Sequence, residues 1–122
     1  MKSLCLAVLI LFGLATTPAV AETMEWTMTS DYPYQVQVVF YSATRSAAWP
    51  GNGKAYDIND YAPHTYSLNC RTGEKVCYGA WPTGGDSSGQ FTTWWGVGQN
   101  NKRCSDCCAV CGDENPVKRL VK

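Results

Sequence analysis

The chain predicts an all-β domain, a small antiparallel β-sandwich or barrel stapled by disulfides. Three observations carry this. Several segments alternate apolar and polar residues with a period of two, the mark of a half-buried strand. The stretches between them are dense in Gly, Pro, Asn and Asp, which break regular structure. Of the seven cysteines, six lie beyond residue 21, and four of these crowd into Cys104-Ser105-Asp106-Cys107-Cys108-Ala109-Val110-Cys111.

At the N-terminus, Lys2 supplies a positive start, Leu4 to Leu14 an apolar run, and Ala19-Val20-Ala21 a small-residue cleavage site. Together these read as a secretory signal peptide over residues 1–21, with a single cysteine-rich β domain over 22–122. The apolar run is shorter than the roughly 20 residues that a membrane-spanning helix needs, so no membrane anchor is expected after the signal is removed. Cys5 leaves with the leader. Loss of Lys2 sets nine basic residues against ten acidic ones, a net charge of −1 with His64 neutral. That balance gives no broad positive field for a phosphate backbone, so nucleic acid is not an expected partner. The expected location is secreted or periplasmic.

The first strand runs from Tyr34 to Tyr41, with Val36, Val38 and Phe40 on one face and Gln35 and Gln37 on the other. A second follows at His64 to Cys70, where Tyr66, Leu68 and Cys70 share a face. Thr72-Gly73-Glu74 supplies a turn, and Lys75 to Trp81 then reads as the partner strand of a hairpin. Gln90 to Val97 reads as a further strand entering the cysteine cluster. The loops are Trp49-Pro50-Gly51-Asn52-Gly53, the segment 81–89, and Gly96 to Asn101. No segment of comparable length shows helical periodicity.

Beyond the leader the only Leu and Ile residues are Ile58, Leu68 and Leu120, while all five tryptophans and seven tyrosines remain. Aromatic rings must therefore supply much of the buried area, on the order of 150 to 250 Å² each, with disulfides making up what a small core lacks. Cys70, Cys77, Cys104, Cys107, Cys108 and Cys111 allow 15 full pairings. In an exported chain the expectation is three structural disulfides, with the cluster tied to Cys70 and Cys77. Adjacent Cys107 and Cys108 are expected to take different partners, since their side chains diverge. The alternative is a zinc site built from Cys104, Cys107, Cys108 and Cys111, because C-x-x-C sets two sulfurs on one turn at metal-binding reach. Otherwise no cofactor is expected. A redox pair also fits the C-x-x-C spacing, but no helix follows to lower a thiol pKa.

Two patterns look catalytic. Gly85-Asp86-Ser87-Ser88-Gly89 matches G-x-S-x-G, but that elbow works between a strand and a helix of a large α/β sheet, and the segment reads better as a flexible loop. His64, the single histidine, opens a strand after Ala62-Pro63, a position that suits a structural or surface role. Asp57-Ile58-Asn59-Asp60 lacks the spacing and glycine of a calcium loop and reads as a turn with Asx hydrogen bonds. With no complete catalytic constellation, the chain is not expected to be an enzyme.

The positive clue is aromatic residues within loops. Trp49, Tyr56, Tyr61, Trp81 and Trp94 are the candidate ligand-binding residues of a secreted non-catalytic binding module, with a glycan or cell-wall polymer as partner. The same rings are candidates for the core, given how few aliphatic residues there are. The alternative is a disulfide-rigidified protein-interaction or inhibitor domain facing an extracellular protein through residues 82–89 or 98–103.

Overall fold

A computed structural model describes residues 20–83, 93–99 and 104–121. Two sheets face each other over one core in an open sandwich. The first holds three strands in the order β5 (His64–Arg71), β1 (Ala21–Ser30) and β9 (Val117–Leu120). The second is centred on β2 (Val36–Ser42) and β6 (Lys75–Pro82). Short β3 (Ala48–Trp49) and β4 (Tyr56–Ile58) both pair with β2 on one side, and β7 (Trp95–Gly96) and β8 (Cys108–Val110) both pair with β6 on the other. The pairings are antiparallel except for β9, which lies parallel to β1. No helix occurs among the described residues.

The alternation expected for β2 is present, since Val36, Val38 and Phe40 are fully buried. Leu68 and Cys70 of β5 are buried on the opposite sheet. β1 was not anticipated, although Met24, Trp26 and Met28 are buried at every second position and form a period-two pattern of their own. Trp26 sits at the centre of the core, its ring 5.3 Å from Phe40 and 5.9 Å from Tyr78. One tryptophan thus spans the gap between the sheets, as the shortage of aliphatic residues requires. Its Nε1 has no hydrogen-bond partner among the described residues.

The expected 64–81 hairpin is not formed. β5 pairs with β1 and β6 with β2, so the turn at Thr72-Gly73 carries the chain from one sheet across to the other. A hairpin and such an arch share the same local sequence signal, because in both the apolar faces of the two strands meet one core. The arch is closed by the Glu74 N–H donating to the Arg71 carbonyl at 2.9 Å, with Gly73 in the left-handed region at φ 82°. Of the expected strand at 90–97, Trp95 and Gly96 form β7, and residues before 93 lie outside the described ones.

Three disulfides pair the six cysteines: Cys70–Cys111, Cys77–Cys108 and Cys104–Cys107. The cluster is tied to Cys70 and Cys77 as expected, and Cys107 and Cys108 take different partners. Cys77 and Cys108 face each other directly across β6 and β8, and the Tyr78 N–H bond to the Cys107 carbonyl marks theirs as a non-hydrogen-bonded pair, where side chains approach most closely. Cys70–Cys111 joins the two sheets. Their sequence separations of 41 and 31 residues are each worth about 4 kcal/mol by loop-closure entropy, whereas the separation of 3 residues at Cys104–Cys107 is worth under about 2 kcal/mol. Three disulfides are compatible with an oxidising compartment.

Glu74 is the buried charge of the arch, its side chain 2% exposed. It accepts from Arg45 Nε at 2.5 Å, from Arg45 Nη2 at 3.2 Å, from Ser42 Oγ at 2.7 Å and from the Arg71 N–H at 3.1 Å. Burial alone would raise its pKa, but these hydrogen bonds and the Arg45 charge outweigh burial and hold it at about 2, against an ordinary 4.5. As pH falls, the unfolded chain takes up this proton first. The stabilisation is therefore complete above the ordinary value and is lost as pH drops toward the folded one, a change on the order of 3 kcal/mol. In urea unfolding between pH 6 and pH 2, wild-type stability should fall more steeply than that of Glu74→Gln, and the two should converge at the acid end. Parallel curves would mean that Glu74 does not govern the acid limb.

Candidate functional site

The outer face of the larger sheet carries the candidate site. Residues on β2 between the core-facing ones, Gln37, Val39 and Tyr41, point away from the other sheet. The register sets Trp81 against Gln37, Gly79 against Val39 and Cys77 against Tyr41. Trp81 and Tyr41 therefore share one face at opposite ends of a short floor.

Two walls rise from this floor. One is the loop from Gly51 to Ala55, where Gly51, Asn52 and Gly53 all have positive φ and the Lys54 N–H donates to the Gly51 carbonyl at 3.1 Å. The other is the turn through Gly98 and Gln99. That turn can approach because β6 carries no side chain at its contact point: a Cβ on Gly79 would lie 2.1 Å from the Gly98 carbonyl oxygen and 3.1 Å from Tyr41 Cε2. Between the walls is an open groove of about 520 Å³. Its polar groups are the amides of Gln37, Asn52 and Gln99, the Lys54 ammonium and the Tyr41 phenol. The Tyr41 phenol, whose ordinary pKa of 10.0 burial raises further, is protonated and able to donate at neutral pH.

The five aromatic residues singled out by the sequence do not form one row. Trp81 lines the groove. Trp94, 47% exposed, stands beside its far wall, since a Cβ on Gly98 would come within 3.0 Å of Trp94 Cδ1. Trp49 packs against the core, donates from Nε1 to the Asn69 carbonyl at 3.0 Å and has the Arg45 guanidinium 5.8 Å from its ring. Tyr56 also packs against the core, with its ring 4.4 Å from Tyr66. Tyr61 is 64% exposed and does not line the groove. Tyr41 and the amides were missed, although the outward set of β2 was already visible as the complement of Val36, Val38 and Phe40.

The other candidates fall elsewhere. His64 is partly exposed, with Nε2 2.6 Å from Asp60 Oδ1, and the same carboxylate accepts the Ala62 N–H at 3.0 Å, an Asx turn as expected at Asp60, whereas Asp57 and Ile58, expected in the same turn, belong to β4. The hydrogen bond from His64 lowers the Asp60 pKa, with the Ala62 N–H assisting. Gly85 to Gly89 lies outside the described residues, as do most of the proposed contact loops 82–89 and 98–103. Cys104, Cys107, Cys108 and Cys111 do not form a four-thiolate zinc set, because Cys108 and Cys111 are bonded to Cys77 and Cys70. Compared with protein-family models, curated proteins and solved structures, the chain matches none.

The close contact at Gly79 gives a direct test of how the groove is built. Gly79→Ala should displace the 97–99 turn and lower the unfolding free energy by about 2 kcal/mol or more, with a change in tryptophan fluorescence from the shifted Trp94. An unchanged melting midpoint and spectrum would show that this wall does not depend on Gly79.

Proposed function

We propose that the protein is an exported, non-catalytic binding module that holds a glycan, such as a cell-wall polysaccharide, in the groove floored by Trp81 and Tyr41. The observation that supports this reading most is the pairing of two partly exposed rings with amide, phenol and ammonium groups around one open groove. A sugar ring has apolar C–H faces that lie against aromatic rings and equatorial hydroxyls that both donate and accept. Gln37, Asn52 and Gln99 offer both functions, and Lys54 and the protonated Tyr41 add donors. The groove is open to solvent, which suits a segment of polymer better than an enclosed small molecule.

Export fits the fold at its first strand. Cleavage after Ala21 would remove the Ala21–Arg71 pair and the hydrogen bonds that the Val20 carbonyl accepts from Thr72, and leave Glu22 to Met28 paired along β5. Residues 22–122 would then retain both sheets and all three disulfides.

Binding to insoluble cellulose, chitin and peptidoglycan, followed by calorimetry with soluble oligomers of whichever is retained, tests the proposal. Trp81→Ala and Tyr41→Ala should each weaken binding by about tenfold, the equivalent of 1.4 kcal/mol, while Tyr61→Ala, away from the groove, should bind as wild type. Failure to retain any of these polymers, or equal binding by folded Trp81→Ala and Tyr41→Ala, would overturn it.

A further inference from the structure

The three disulfides differ in exposure and in what they hold. Cys70, Cys77 and Cys111 are buried, Cys107 is 3% exposed and Cys108 is only partly buried, but Cys104 alone is exposed and is followed by exposed Ser105 and Asp106. An open cleft of about 400 Å³ runs beside the Cys104–Cys107 bridge, between its turn, the ring of Tyr78 and the side chains of Lys118 and Arg119. The bridge closes only 3 residues, against 41 and 31 for the others, so opening it releases little chain freedom. One disulfide is thus reachable from solvent at one sulfur, seated in a cleft and largely dispensable to the fold.

We propose that Cys104–Cys107 is a thiol–disulfide exchange site, whose substrate is a small thiol or the cysteine of a flexible peptide entering this cleft. The incoming thiolate attacks exposed Cys104 Sγ. The electrons of the S–S bond leave with Cys107 Sγ, which takes a proton from water. A second incoming thiol attacks the substrate sulfur of the mixed disulfide, releasing Cys104 as a thiol and forming the substrate disulfide. Two substrate thiols are oxidised to one disulfide while one protein disulfide is reduced to two thiols, and the reverse sequence reduces an incoming disulfide.

The neighbouring bridge adds a second consequence. Cys107 Sγ lies 3.5 Å from Cys108 Sγ, and the sulfurs of Cys77, Cys107 and Cys108 all lie within 4.8 Å of one another. A Cys107 thiolate permanently deprived of Cys104 can attack Cys77 Sγ, forming Cys77–Cys107 and freeing Cys108. Cys104 therefore also protects the Cys77–Cys108 bridge from its neighbour.

The test uses the exported protein with its native disulfides, treated with graded glutathione, quenched by alkylation and mapped by mass spectrometry. Cys104 and Cys107 should be alkylated at least about tenfold faster than the other four cysteines, with the near-ultraviolet circular dichroism of the folded protein retained. Simultaneous alkylation of all six, or earlier opening of either other bridge, would overturn the exchange site. Cys104→Ser should expose part of its free thiol at Cys108, whereas the Cys104→Ser, Cys107→Ser double variant should show no free thiol. A Cys104→Ser thiol confined to Cys107 would overturn the protective role.

Discussion

The arch between β5 and β6 is the point on which the structure depends, and the buried Glu74 carboxylate holds it. Its oxygens take hydrogen bonds from Ser42 at the end of β2, from Arg45 just beyond, and from the Arg71 N–H at the end of β5. Its own backbone carbonyl accepts the Cys111 N–H at 2.8 Å, so the C-terminal segment is anchored at the same corner. A carboxylate this buried is tolerated only because each approaching group donates to it. Cys70 and Cys77 flank the arch on either side, and their bridges to Cys111 and Cys108 bind the same segment covalently. Polar and covalent constraints therefore converge where the chain changes sheets.

Concentrating constraints there relieves the core of part of its task. A domain of this size with almost no Leu or Ile cannot fill the space between two sheets with aliphatic layers. Trp26, Phe40, Tyr78 and the Tyr56–Tyr66 pair bridge the gap instead. Large rings cover area efficiently but are less adaptable in packing than short aliphatic side chains, which makes a fixed spacing between the sheets more important. The inter-sheet Cys70–Cys111 bridge helps set that spacing.

The physics of each feature explains what the sequence could reveal. Alternation in β2 and β5 is a local property, and it identified their buried faces correctly. The same rule applied to Met24, Trp26 and Met28 would have found β1, which was hidden only by its closeness to the N-terminal apolar run. Pairing is not local: whether Thr72-Gly73 makes a hairpin or an arch depends on β1 arriving beside β5. That the cluster is tied to Cys70 and Cys77, with Cys107 and Cys108 taking different partners, was legible from spacing, but which cysteine pairs with which was not. The groove was not legible, because Trp81 and Tyr41 are forty residues apart and come to share one face only through the β2–β6 register, while Trp49 and Tyr56, equally plausible in sequence, turn toward the core.

The two proposed sites both rest on β6, and the hierarchy of bridges determines how independent they are. The groove floor is fixed by β2 and β6, and its far wall by the close approach of Gly98 to Gly79. The Cys104–Cys107 bridge touches neither. While Cys77–Cys108 holds β8 to β6 and Cys70–Cys111 joins the sheets, opening the short exposed bridge removes no contact from the groove. Exchange that spread to Cys77 would be different, because Cys77 stands opposite Tyr41 in the register. Its release would loosen the strand pair that positions the phenol. The burial of Cys107 beside a second disulfide thus sets the boundary between chemistry the fold can absorb and chemistry that would reach the binding face.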